Sequence, residues 1–129
     1  PDVPRVLEYL QARKIPIALG SASKNAKPIL QKVGLLPYFD SIVDGNSVSK
    51  AKPDPEVFLI AARNLGVDAQ KCIVFEDAVA GIQAANNASM LSIGIGDADI
   101  LSEASHIFKD FTEIDDYFLE KLLRGFSKF

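Results

Sequence analysis

Three short segments carry residue types that could act together on an anionic group. Glu76 and Asp77 directly follow the apolar run Cys72-Ile73-Val74-Phe75, and Ala78, Gly81, Ile82 and Ala85 then recur at helical spacing. A pair of acids therefore stands where a buried strand ends and a helix begins, the place where parallel α/β sheets bind ligands. Carboxylate oxygens suit Mg²⁺, which takes one or two of them beside water and phosphate. Extended neighbours point to opposite faces, so both acids can serve one site only if the chain turns between them. The plain alternative is Asp77 as an N-cap and Glu76 as a surface acid.

Ser21-Ala22-Ser23-Lys24-Asn25 lies between the apolar stretch Ile17-Ala18-Leu19-Gly20 and a further helical pattern. Free N–H groups at a helix start, two hydroxyls, an amide and an ammonium are the donors that a phosphate oxygen accepts from. A simple cap by Ser23 with Lys24 in solvent explains the same residues, and both readings stand. Lys52, in Lys50-Ala51-Lys52-Pro53-Asp54-Pro55, is by itself an ordinary loop lysine, and Lys50 would serve as well.

Other candidates carry less. Asp97-Ala98-Asp99 has the spacing of an aspartyl nucleophile and its acid/base partner, but no apolar helix face follows, so a polar loop is expected. Gly94-Ile95-Gly96 is only a fragment of a dinucleotide fingerprint. His106 has no Cys or His companion for a metal. Cys72 is the single cysteine, which excludes an intrachain disulfide, fits a reducing, cytoplasmic compartment and reads as a small hydrophobe within its strand.

The elements that must position these residues follow from periodicity. Asp2 is placed to cap a helix with Val3, Val6, Leu7 and Leu10 on one face. A strand at 17–19 precedes a helix with Ala26, Ile29, Leu30 and Val33 on one side, stopped by Gly34. Another strand is expected at 41–44. Asp54 as N-cap and Pro55 at the first helical position open a helix that buries Phe58, Ala61, Ala62 and Leu65 and ends at Gly66. Strands follow at 72–75 and 90–95, with a short edge strand at 106–108. The last helix carries Ile114, Tyr117, Phe118 and Leu122. Alternating strands and helices argue for an α/β fold, a parallel sheet with helices on both faces. The 129 residues suffice for one domain, and 48% apolar with 24% charged residues is ordinary for a globular chain. A net charge of −3 gives no global attraction to nucleic acid or to an anionic membrane, so a phosphate site must be built locally. No apolar run reaches membrane-spanning length. The chain does not open with Met, which points to a piece of a longer product.

In order and spacing the segments resemble the haloacid dehalogenase superfamily of phosphoryl-transfer enzymes. Ile17-Ala18-Leu19-Gly20-Ser21 is similar to its second motif, Lys52-Pro53-Asp54-Pro55 to its third, and Phe75-Glu76-Asp77 with Ala80-Gly81-Ile82 to its fourth. Ser21 to Asn25 most resemble the β-phosphoglucomutase group. The resemblance implies a three-layer α/β/α, Rossmann-like core. It implies that Ser21 and the Ala22 N–H hold the transferred phosphoryl group, that Lys52 neutralises it, and that Ser23, Lys24 and Asn25 hold the substrate's other phosphate. It further implies that Asp77 binds Mg²⁺, with Glu76 supporting the metal site. The substrate would be a sugar phosphate, with β-D-glucose 1-phosphate and glucose 6-phosphate interconverted through a phosphoaspartate. A sugar-phosphate phosphatase and a non-catalytic Mg²⁺- or phosphate-binding module are the alternatives. Ala78 stands where close relatives often carry serine.

The superfamily's first motif, a strand ending in Asp-x-Asp, and its helical cap domain have no counterpart in the 129 residues. The chain is therefore expected to be the C-terminal part of a core domain and inactive alone. Loss of that central strand would leave a gap of about 9.6 Å between the strands at 17–19 and 72–75. The rest of the chain, another copy, or collapse of the gap would have to compensate.

Overall fold

The computed structural model describes residues 2–21 and 23–127. Among these residues five α-helices, α1 (Val3–Ala12), α2 (Ala26–Lys32), α3 (Glu56–Leu65), α4 (Val79–Asn87) and α5 (Asp116–Ser127), alternate with the strands β1 (Ala18–Gly20), β2 (Ser41–Val43), β3 (Ile73–Glu76) and β4 (Leu91–Ile95), except that β5 (His106–Phe108) follows β4 with no helix between. All pairings are parallel, as the α/β alternation predicts. The strands do not form one sheet, however. β1 pairs with β2, placing Leu19 opposite Ile42, and β4 lies between β3 and β5, with Phe75 opposite Ile93. Among the described residues no backbone ladder joins β1 to β3.

Packing spans this interruption on one face. Val57, Phe58, Ala61 and Ala62 of α3 and Ala84 and Ala85 of α4 share one core with Val43 of β2, Val74 of β3 and Met90. Of the apolar face expected of α3, Phe58, Ala61 and Ala62 are buried and Leu65 is only half-buried, and the small residues of α4 let that helix lie close to the sheet. On the other face Val6 and Tyr9 of α1 and Leu119 of α5 meet Ile114, with Phe75, Ile95 and Phe108 packed against them. Arg5 fastens this layer by donating to the carbonyls of Phe111 (3.1 Å) and Ile114 and to Asp116 Oδ1 (3.2 Å). No helix among the described residues is long and apolar enough to cross a membrane.

Several local expectations are corrected. Asp2 occupies the N-cap position of α1, but its carboxylate accepts from Arg5 Nε at 3.3 Å instead of from a helix N–H. Ile29 and Val33 of α2 are 55% and 61% exposed, and only Ala26 of that helix is fully buried. Asp54 lies one residue further out than an N-cap. It still receives the Glu56 N–H at 3.0 Å, so α3 starts at Glu56 with Pro55 flanking it. Ile114 is fully buried ahead of α5 rather than within it, Tyr117 is exposed, and Leu119 takes the inward position.

Gly66 closes α3 in the left-handed conformation, φ 69°, and its N–H donates to Arg63 O at 3.1 Å. A side chain there would cost about 1 kcal/mol of backbone strain. Urea unfolding of Gly66→Ala is expected to show that loss at unchanged m-value.

Candidate active site

The carboxyl ends of β1 and β3 border the interruption, and Lys52 spans it. Its Nζ donates to Glu76 Oε2 at 2.8 Å, lies 3.4 Å from Gly20 O, and sits 5.0 Å from the centre of the Phe58 ring. The side chains of Lys52 and Glu76 are only 18% and 12% exposed. Ions withdrawn this far from water persist only when paired and hydrogen-bonded. Phe58 reaches this position because β1 ends in Gly20, where a Cβ would stand 3.0 Å from Phe58 Cε1. The structure separates the two lysines that the sequence left equivalent. Lys50 is exposed, and it is the Lys50 backbone N–H that bonds, to Glu56 Oε1 at 3.3 Å.

Glu56 holds the loop that carries Lys52. It accepts from the N–H of Ser49 and from the Ser49 hydroxyl at 2.8 Å. The Ser49 backbone and side-chain hydrogen bonds lower the Glu56 pKa from its ordinary value of 4.5.

Glu76 and Asp77 exchange the roles that a plain capping reading gives them. Glu76 is not a surface acid. Its Oε1 folds back to accept the N–H groups of Asp77 (3.1 Å) and Ala78 (3.3 Å), at the positive end of α4. Asp77 is not the N-cap, a position that Ala78 occupies. The Asp77 side chain is exposed, and no described residue hydrogen-bonds its carboxylate. The chain does turn between the two acids, as joint use of them requires. Both oxygens of Glu76 are engaged, which leaves Asp77 as the carboxylate open to a cation. One carboxylate with water and phosphate completing the shell is within the Mg²⁺ repertoire. No three His, Cys, Asp or Glu side chains gather into a metal site among the described residues.

The serine turn adjoins the same opening. The Ser21 N–H extends the ladder by donating to Val43 O at 2.8 Å, one residue beyond the carbonyl near Lys52. Ser21 Oγ accepts from Ser23 N, and Ser23 Oγ from Asn25 N, each at 3.1 Å. Both hydroxyls therefore accept from the turn and keep their own protons to donate. Gly45 N to Ser23 O (3.1 Å) and Asn46 Nδ2 to Lys24 O (3.4 Å) tie the turn to the loop after β2. Lys24 and Asn25 are exposed, and Ala22, whose N–H the family resemblance places on the phosphoryl group, lies outside the described residues.

The weaker candidates are engaged in local contacts of their own. Asp97 Oδ1 accepts from Asp99 N at 2.8 Å in an exposed turn, as a polar loop requires. His106 stacks edge-on against Phe118. Cys72 donates to Asp68 O at 3.4 Å, and burial followed by the Asp68 charge pushes its thiol pKa up, which disfavours the reactive thiolate. A groove of about 690 Å³ is lined by residues flanking Lys52 in sequence, among them Ser49, Lys50, Asp54 and Glu56. Lys52, Glu76, Asp77 and Ser21 do not line it.

A protein-family model described as haloacid dehalogenase-like hydrolase matches residues 1–89, and the chain belongs to that family. It is 36% identical over 114 residues to a β-phosphoglucomutase of Bacillus subtilis, covering 88% of this chain and 50% of that protein. It is 39% identical over 95 residues to a fructose-1-phosphate phosphatase of Escherichia coli, covering 74% of this chain and 50% of that one. A crystal structure of β-phosphoglucomutase from Clostridium difficile superposes with a TM-score of 0.92 at 34% identity, over 100% of this chain and 58% of that chain. The chain thus spans about half the length of the curated relatives it matches.

Because folding lowers the pKa of Glu56, its carboxylate stabilises the loop above 4.5 and ceases to as pH falls through the lower folded value. In an NMR titration the Ser49 amide is expected to shift with a midpoint below 4.5, and Glu56→Ala should abolish that transition.

Proposed function

We propose that the protein transfers a phosphoryl group on a sugar phosphate, interconverting β-D-glucose 1-phosphate and glucose 6-phosphate in the manner of a β-phosphoglucomutase. The observation that carries this reading is Lys52, held by Glu76 and Gly20 O between two strand ends, one residue from Ser21. Phosphoryl transfer needs positioning and charge stabilisation more than covalent chemistry from its surroundings. In this reading Ser21 and the Ala22 N–H orient the phosphoryl oxygens and Lys52 balances their charge. Ser23, Lys24 and Asn25 clamp the second phosphate, which a bisphosphate intermediate requires. Asp77 would hold Mg²⁺, which when bound supplies further neutralisation of the phosphoryl oxygens, and Glu76 fixes Lys52 and the turn beside it.

The reading takes the nucleophilic aspartate from a strand outside these residues, seated between β1 and β3. The unjoined edges of those strands and the half-length match to relatives support it. The chain is then the C-terminal part of a core domain, completed by the remainder of the same protein or by another copy, and the 129 residues alone do not turn over. A sugar-phosphate phosphatase is the second reading, favoured by the similar identity to the fructose-1-phosphate phosphatase. There, water rather than a sugar hydroxyl takes the phosphoryl group.

Parallel assays of isomerisation and phosphate release by the full-length protein separate the two, and predominant phosphate release would overturn the mutase. Lys52→Ala is expected to lower kcat by about 10²- to 10³-fold, the cost of one preorganised charge contact.

A further inference from the structure

We infer that Gly81 is a positioning residue for Glu76 and, through Glu76, for Lys52. Gly81 lies in the first turn of α4. Its backbone does not adopt the left-handed conformation that reserves a position for glycine, in contrast to Gly34 (φ 76°) and Gly66 (φ 69°). Helix propensity alone would favour alanine there. The space above it explains the choice: a Cβ would lie 2.1 Å from both Cγ and Cδ of Glu76 and 2.2 Å from its Oε2. These distances are far inside contact, and the atoms met belong to a side chain that can rotate. A methyl group at 81 would therefore displace the carboxylate rather than break the helix. The displaced Glu76 loses the Asp77 and Ala78 N–H groups and the Lys52 ammonium together. Among the described residues Lys52 then keeps Gly20 O and the Phe58 ring. Gly81 thus makes the seat in which a largely buried acid aims a cation it never touches itself.

The significance for turnover rests on the phosphoryl-transfer reading, whereas the seat itself does not. In the full-length protein, Gly81→Ala is expected to speed amide hydrogen exchange at Asp77 and Ala78 by about tenfold, as loss of a hydrogen bond to a charged acceptor implies. Protection along Ile82 to Asn87 should persist. Gly81→Ala should lower Tm, whereas the same substitution in a Glu76→Ala background should raise it, because only helix propensity then remains. Its effect on kcat should equal that of Glu76→Ala, with no further loss in the double variant. A rise in Tm from Gly81→Ala with Glu76 present, or unchanged exchange at 77 and 78, overturns the inference. If Tm reverses sign but Glu76→Ala keeps full turnover, the seat stands and the phosphoryl-transfer role of Glu76 fails.

Discussion

The pairing of Lys52 with Glu76 is the constraint around which this end of the molecule is built. Neither ion sits where water can solvate it well, so each depends on the other and on fixed dipoles. The requirement propagates outward. Gly20 makes room for Phe58 beneath the ammonium, Glu56 pins the loop from which Lys52 extends, and Gly81 clears the space for the carboxylate. Three segments distant in sequence become one site because a single charge pair must be satisfied among them. Asp77 is left pointing outward as a consequence, since the turn that seats Glu76 uses the Asp77 backbone and not its side chain.

Much of the fold was legible from local pattern. The period of α3, its stop at Gly66 and the short strands depend on residues within a few positions of one another. What escaped depends on neighbours that the pattern cannot see. Ile29 and Val33 repeat as an inward face should, but no described element covers them, so periodicity gave the face without its partner. Ile114 continues the apolar spacing of α5 but is buried from the preceding loop, which shifts the helix's inward position to Leu119. At the site, position and residue type singled out Ser21 and the two acids and left Lys52 no better than Lys50 until the family resemblance chose between them, and they did not give the division of labour between Glu76 and Asp77. That division is set by a lysine 24 residues away in sequence. Gly81 fits both the helical spacing and the motif, but the reason for a glycine there is three-dimensional.

Membership of the haloacid dehalogenase-like family accounts for the parallel pairing and the order of the segments, and the superposition on a β-phosphoglucomutase covers the whole chain. The interruption between β1 and β3 persists despite that likeness. The α3 and α4 core bridges it with side chains alone, so the two sheets are held in one body by packing without sharing a ladder.

That arrangement makes the molecule anisotropic in its mechanics. Along each strand, backbone bonds resist deformation, but across the seam only packing and a few polar ties do. Two of those ties meet on one dipeptide: Lys52 reaches Glu76, and Asn87 Nδ2, on the last residue of α4, reaches Pro53 O at 3.1 Å. A widening of about 1 Å would carry the 2.8 Å Lys52–Glu76 contact out of hydrogen-bonding range. The charge pair is therefore a gauge of the seam's width, and whatever fills the seam also sets how firmly the lysine is aimed.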